Sequence, residues 1–228
     1  MPSAVVLSHH DIAHELGHLG PWLDERGFVV QRSYRGDMLV MPDADLLIVM
    51  GSPTSVATGY RLAPADDEIS MVREWVATGR PYLGLCFGAQ VLAQALGGEV
   101  NRLDRTFRGY VDCADVDCAD RTTGLAGEVG FGGPWVVWHD DAITAPPGAE
   151  VFARLPHADL AFRAGNAWGL QPHIEVTPES LERMAIALGA DEPAYAPLVE
   201  ALAADESGDS PARARVAQFL DAAFGTIR

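Results

Sequence analysis

An α/β fold, with a largely parallel central sheet and helices on both faces, is predicted by three features of this sequence. Short apolar runs alternate with helix-patterned segments through the first hundred residues. Several of those segments stop on glycine. A stretch rich in strand patterns then gives way to an alanine-rich helical tail. Alternation of this kind calls for right-handed crossovers, which place helices on both faces of a parallel sheet.

Taken in order, "AVVLS" (4–8) reads as a buried strand, and "IAHELGHLGPWLDERG" (12–27) is helical in parts and closes on Gly27. "FVVQRS" (28–33) and "DLLIVMG" (45–51) read as the second and third strands. "PADDEISMVREWVATG" (64–79) carries acids in its first turn, Ile69, Val72 and Val76 at helical spacing, and a glycine stop. "PYLGLC" (81–86) is the fourth strand and runs directly into "FGAQVLAQALGG" (87–98), a helical pattern ending on glycine. Beyond residue 98, "RTFRGYVDC" (105–113), "PWVVWHDDAIT" (134–144), "VFARL" (151–155) and "LAFRAGNAWGLQPHIEV" (160–176) read as strands joined by Gly/Pro turns. The tail from Pro178 is helical, broken at "DESGDSP" (205–211), with a last helix over 212–224. The expected organisation is one domain over 1–190 with a helical extension, 191–228, packed on it.

A chain of 228 residues suits a single core of good size. Runs such as "LLIVM" (46–50) are too short to cross a bilayer, and "MPSAVVLSHH" lacks the basic start and apolar centre of a secretory signal. A cytoplasmic location is expected. Sixteen basic against thirty-two acidic residues give a formal charge of −16, which repels phosphates and anionic membranes. Neither nucleic acid nor a membrane is therefore an expected partner. Of three cysteines, Cys113 and Cys118 form a Cys-x4-Cys pair without a second pair of ligands, a poor zinc signature.

"HELGH" (14–18) matches the zinc-hydrolase pattern of two histidines one helical turn apart with a glutamate base. Gly17, Gly20 and Pro21 crowd it, which is poor material for a rigid ligand helix. The extended motif also needs glycine at 21 and histidine at 24, where the chain has Pro21 and Asp24. No metal and no cofactor are expected, and His14 and His18 read as solvated or hydrogen-bonded surface groups.

"GLCFGAQ" (84–90) carries the chemistry. A small-x-nucleophile-x-small sequence between a strand and a helix is what a nucleophile elbow needs, because the turn is sharp and its flanks must be small. Cys86 would stand at a helix N-terminus, where the dipole and free N–H groups favour thiolate. The Phe87 amide would face the same point and could hold an oxyanion. Gln90 falls on the same helical face. A cysteine nucleophile needs a base, and the base needs an orienting acceptor. "GLQPHIEV" (169–176) supplies both, since His173 and Glu175 would leave the same face of an extended segment. The turn "VMGSPTS" (49–55) could aim the Ser52 N–H into the pocket beside the elbow.

In this combination and order the motifs resemble the class I glutamine amidotransferases, whose site is a Cys-His-Glu triad. The family's Gly-x-Cys-x-Gly-x-Gln elbow is matched at Gly84, Cys86, Gly88 and Gln90. Its Gly-Gly-Pro loop with a nearby serine is matched at Gly51, Pro53 and Ser55, with Ser52 in place of the second glycine. Its Gln-Phe-His-Pro-Glu motif is matched at Gln171, His173 and Glu175, but not at Pro172 and Ile174. "WHDD" (138–141) resembles the segment whose backbone helps to hold the substrate's amino acid end, with Asp140 where glycine is usual. The resemblance spans roughly residues 4 to 178, and the layout is similar to stand-alone proteins like the amidotransferase domain of GMP synthase.

The resemblance implies a flavodoxin-like sheet and hydrolysis of the glutamine side-chain amide through a Cys86 thioester. Cys86, His173 and Glu175 would be catalytic, the Ser52 and Phe87 amides would hold the oxyanion, and Gly51, Gln90, Trp138, His139 and Asp140 would bind substrate. The ammonia would pass to a separate synthetase partner. Two other readings stay open: a stand-alone hydrolase of another γ-glutamyl peptide or conjugate, and a non-catalytic binding protein on the same fold.

Overall fold

Strand β1 (Ser3–Ser8) lies between β2 (Val29–Tyr34) and β3 (Leu46–Val49), and all three run parallel. The computed structural model describes residues 1–37, 40–58, 63–113, 124–209 and 211–227, the side chains of 63–65 excepted. The parallel array continues through β4 (Tyr82–Leu85) to β9 (Ala167–Leu170). There β8 (Ala158–Ala164) and β7 (Glu150–Leu155) add antiparallel strands, giving seven in the order β2-β1-β3-β4-β9-β8-β7.

The two-residue period of a strand sorts the central side chains onto opposite faces. Val6, Ile48 and Leu83 pack on one side with Leu19, Trp22 and Leu23 of helix α1 (Leu19–Glu25) and Val216 and Phe219 of α7 (Ala212–Phe224). Val5, Leu47, Val49 and Tyr82 face the other side, against Val72 and Trp75 of α2 (Ala63–Ala77) and Phe87, Val91 and Leu92 of α3 (Phe87–Ala95). Burial on both faces is why these strands read as continuous apolar runs.

A second, two-stranded antiparallel sheet pairs β5 (Glu99–Asp112) with β6 (Pro134–Thr144), and its register shifts between Arg102 and Phe107. Val136 and Trp138 of β6 share a third cluster with Leu181 and Met184 of α5 (Pro178–Ala187) and Leu198 and Leu202 of α6 (Glu192–Glu206). Helix α5 opens on a capping box between Thr177 and Ser180, with Pro178 at the first helical position, where its missing N–H costs nothing. The tail is tied down by polar contacts: Trp22 Nε1 donates to Asp221 Oδ1 at 2.6 Å, and Arg215 donates to the Pro134 carbonyl at 2.7 Å.

Three local expectations change. Residues 12–18 are not helical; α1 begins only at Leu19. Gly17 (φ +42°) passes so close to the Glu175 carbonyl that a Cβ there would lie 1.8 Å from the oxygen, and His18 N–H donates to that carbonyl at 2.9 Å. This long-range contact diverts the chain from its helix. Residues 171–176 leave the sheet after β9 and keep only an isolated bridge from His173 to Val136. A single helical turn, α4 (Leu125–Glu128), was not anticipated. Cys118 lies outside the described residues, so its pairing with Cys113 is not addressed by the structure.

Candidate active site

The turn from β4 into α3 is built from its glycines. A Cβ at Gly84 would lie 2.5 Å from the Gly88 carbonyl, and one at Gly88 would lie 2.1 Å from the Val49 carbonyl oxygen. Only hydrogen fits at either position, so strand and helix can meet at Cys86. That residue is held at φ +49°, one of two non-glycine residues with positive φ among the described residues, the other being Ala13. Such a backbone costs of order 1–3 kcal/mol and persists only where its surroundings enforce it. Here they do: Cys86 N–H donates to Leu170 O at 2.8 Å, and the Cys86 carbonyl accepts from Ala89 and Gln90 N–H at 3.1 Å each.

The Leu85–Leu170 pairing of β4 with β9 sets the elbow beside residues 171–175. Gln171 Nε2 donates to Cys86 Sγ at 3.5 Å, and the thiol faces the Trp138 carbonyl at 3.6 Å. His173 is 4% exposed and lines the same cleft as Cys86, and its Nδ1 lies 2.7 Å from Glu175 Oε1. The meeting of His173 with Glu175 does not arise from the shared strand face expected from their spacing. It arises in a bend, where His173 N–H is pinned to Val136 O at 2.8 Å.

Burial opposes a charged His173, but the carboxylate of Glu175 and the charge and hydrogen bond of Cys86 outweigh it, and its pKa is raised well above 6.5. Between 6.5 and that raised value the native state binds a proton that the unfolded chain has released. The resulting stabilisation is full below pH 6.5, declines above it, and is gone once pH passes the native value. The Tm advantage of the wild type over His173→Gln should therefore shrink as pH rises above 6.5, read by thermal denaturation at a series of pH values.

Cys86 and His173 open into a cleft of about 550 Å³. One wall is polar: Gln90, Arg102, Asp140 and Asp141 line it. Gln90 Nε2 reaches Gln171 Oε1 at 3.4 Å and the Asp141 carbonyl at 3.5 Å, and Arg102 donates to Asp140 at 3.1 Å and to Asp141 at 3.3 Å. The other wall is apolar, with Ile12, Ala13, Met184 and Leu188. Ser52, Pro53 and Thr54 form part of the rim, and Trp138 and His139 part of the lining. His139 is held neutral: burial pushes its pKa down to about 4, and Nδ1 lies 2.7 Å from the Asp141 carbonyl.

Gly51 brings its Cα against Cys86 and His173, since a Cβ there would lie 3.1 Å from His173 Cε1 and 3.8 Å from Cys86 Cβ. Among the described residues, neither the Ser52 nor the Phe87 amide donates to the backbone of a turn or loop. The Phe87 ring is buried away from the cleft. Glu175 lies behind His173, against a neighbouring hollow with His14 and Arg183.

Three contributors were not assigned a role from sequence. Gln171, 0% exposed, meets the sulfur, and its signal was the glutamine that opens the third motif. Asp141, 2% exposed, accepts from Ser55 Oγ at 2.6 Å and from Ala57 N–H at 3.3 Å, which ties the loop after β3 to β6. Arg35, in "SYRGD", carries no pattern that could have pointed to it. The "HELGH" residues go elsewhere: Glu15 pairs with Arg183 at 2.6 Å, and His18 is not a surface group but sits 3.0 Å from Glu206 with its side chain 9% exposed. No cluster of three or more His, Cys, Asp or Glu side chains suited to a metal occurs among the described residues.

The family model "Glutamine amidotransferase class-I" matches residues 10–189. A GMP synthase [glutamine-hydrolyzing] of Thermus thermophilus is 36% identical over 170 residues, 66% of this chain but only 31% of that protein's length. A glutamine amidotransferase-like protein of Salmonella typhimurium, YfeJ, is 29% identical over 191 residues, covering 76% of this chain and 77% of its own. Among solved structures, a glutamine amidotransferase from Thermotoga maritima superposes with a TM-score of 0.75 at 20% identity, over 96% of both chains, a likeness of fold. No described helix is long and apolar enough to cross a membrane.

Proposed function

The chain belongs to the class I glutamine amidotransferase family, and from that membership we propose that it hydrolyses the side-chain amide of glutamine through a thioester on Cys86. The observation that carries the reading is the grouping of Cys86 and His173 in one cleft, with Nδ1 of the histidine 2.7 Å from the Glu175 carboxylate. Cys86 sulfur attacks the amide carbon and its carbonyl oxygen becomes an oxyanion held by the Ser52 and Phe87 amides. His173, protonated through its contact with Cys86 and Glu175, gives its proton to the departing nitrogen, which leaves as ammonia. It then takes a proton from water, which attacks the thioester and releases glutamate. Gln90 and the Trp138–Asp140 backbone position the amino acid end. The ammonia passes to a separate acceptor enzyme. In support, the chain corresponds to about a third of a GMP synthase whose name includes glutamine hydrolysis.

A second reading, cleavage of another γ-glutamyl amide or peptide by the protein alone, is favoured by the apolar wall of Ile12, Ala13, Met184 and Leu188. A Cβ at Gly51 would lie 3.0 Å from Ala13 Cβ and 3.1 Å from His173 Cε1, so this wall adjoins the imidazole that protonates the leaving nitrogen. Free ammonia makes no use of an apolar surface there; an N-substituent would.

The experiment is a panel of glutamine, γ-glutamyl amides with apolar N-substituents and γ-glutamyl peptides, assayed without a partner. Slow glutamine turnover that rises with a synthetase supports the first reading. Fast partner-free cleavage of substituted amides supports the second. No turnover of any member, together with no covalent labelling of Cys86 by a glutamine-like electrophile, removes both.

A further inference from the structure

Arg35 reaches the site from outside the cleft. Its guanidinium donates to Gly51 O at 3.0 Å and to Met50 O at 2.7 Å, and stands 4.5 Å from the centre of the Phe87 ring. On its remaining edge it meets both oxygens of Glu68, at 3.1 and 3.2 Å, and the two side chains are only 8% and 6% exposed. One planar cation thus touches Phe87 and the carbonyl of Gly51, the residue before Ser52. It stacks on the ring of the first and holds the peptide that carries the Ser52 N–H.

That peptide is trans, since the described chain has no cis bond. In a trans peptide C=O and N–H point in opposite directions, so a carbonyl anchored on Arg35 sends the Ser52 N–H away from Arg35. Ser52 lines the cleft and Arg35 does not. Without the anchor the peptide could turn over, which would replace the donor with an acceptor carbonyl. One arm of the planar fork holds the Gly51 carbonyl and the other holds the Met50 carbonyl of the preceding peptide, a fixed pair of directions that a lysine's point charge does not reproduce. Glu68 aligns the buried guanidinium through both its oxygens, and the pull of Arg35 opposes the burial that raises the Glu68 pKa.

We propose that Arg35 is a positioning residue that locks the Gly51–Ser52 peptide, and with it one donor of the oxyanion hole, in its working orientation. The proposal rests on the hydrolase reading above and goes beyond it by assigning a preorganising role to a residue outside the cleft. It explains how the site keeps its donor with Ser52 in the place of a second glycine.

The test separates oxyanion formation from cysteine reactivity. Alkylation of Cys86 by iodoacetamide is a displacement at saturated carbon and forms no oxyanion; cleavage of γ-glutamyl-p-nitroanilide or glutamine forms one. Because Arg35→Met alone would strand Glu68, the variant is the double exchange Arg35→Met/Glu68→Met, which removes both charges at similar volume. The expected result is a kcat lower by roughly 10- to 100-fold, part of the loss for deleting a whole donor. KM and the alkylation rate should stay within about twofold, and Arg35→Lys should fall between. A kcat within about threefold of wild type in the double variant overturns the proposal. So does an equal loss of turnover and alkylation, which would make the pair a general support of the fold. A wild type that cleaves neither probe overturns the hydrolase reading itself, and the role of Arg35 with it.

Discussion

Cys86→Ala should release no measurable glutamate from glutamine, a loss in kcat of about 10⁴-fold or more, with its far-UV spectrum unchanged. In the proposed reaction the sulfur is the atom that forms the acyl bond, which neither Gln171 nor His173 could form in its place. Gln171 only donates to it, at 3.5 Å, and His173 is bound to Glu175 through Nδ1. The fold should tolerate the change, because alanine keeps the Cβ and the backbone bonds to Leu170, Ala89 and Gln90 do not involve the side chain. Alanine at φ +49° stays strained, as cysteine is. Removal of the sulfur also removes one source of the raised His173 pKa, so the stability of the variant should depend less on pH above 6.5. Discontinuous measurement of glutamate checks the first point. Turnover within tenfold of wild type would eliminate Cys86 as nucleophile.

Glu175→Gln should lower kcat by about 10³- to 10⁴-fold and leave KM close to wild type, as wrong-tautomer variants of Ser-His-Asp sites do. Glu175 Oε1 now accepts from His173 Nδ1, which leaves the opposite ring nitrogen for Cys86. A glutamine can present its NH2 to Nδ1 instead. The ring then carries its proton on the Cys86 side and can no longer take one there. The carboxylate's charge, which helps to lift the His173 pKa, is lost as well. Glu175 is 1% exposed and its Oε2 has no hydrogen-bond partner among the described residues, so no bond to them is lost at that atom. Steady-state kinetics across pH decide the matter: a variant with wild-type kcat would show that the carboxylate does not orient the base.

Much of the architecture was legible because it is written locally. The runs read as strands at 4–8, 45–51 and 81–86 contain β1, β3 and β4 or most of them, and burial on both faces selects hydrophobic side chains along such strands. The elbow could be read from "GLCFGAQ" because the two contacts that demand glycine, Gly84 with Gly88 and Gly88 with Val49, are forced by one tight turn. The break at 205–211 between α6 and α7 was visible for the same reason: serine, glycine and proline stop helices wherever they occur.

The errors occurred where distant segments decide a local conformation. The stretch 12–27 reads as helical in parts, and where its helix begins, at Leu19, is set beside the Glu175 carbonyl, more than 150 positions away. Residues 171–176 have strand spacing but bend to bridge Val136. Arg35 could not be found from sequence at all. Its importance lies in touching Met50, Gly51, Glu68 and Phe87 together, and no window of sequence contains that set.

By itself, then, the chain's sequence determined which segments are strands and helices, and which cysteine stands at a strand-to-helix turn. Backbone preference and apolar period act between near neighbours. Only the tertiary structure decided that β4 lies beside β9, which carries His173 to Cys86, and that a buried guanidinium backs the Gly51–Ser52 peptide. Such pairings follow from how the crossovers pack both faces of one sheet, a sum over the whole core that no single stretch contains.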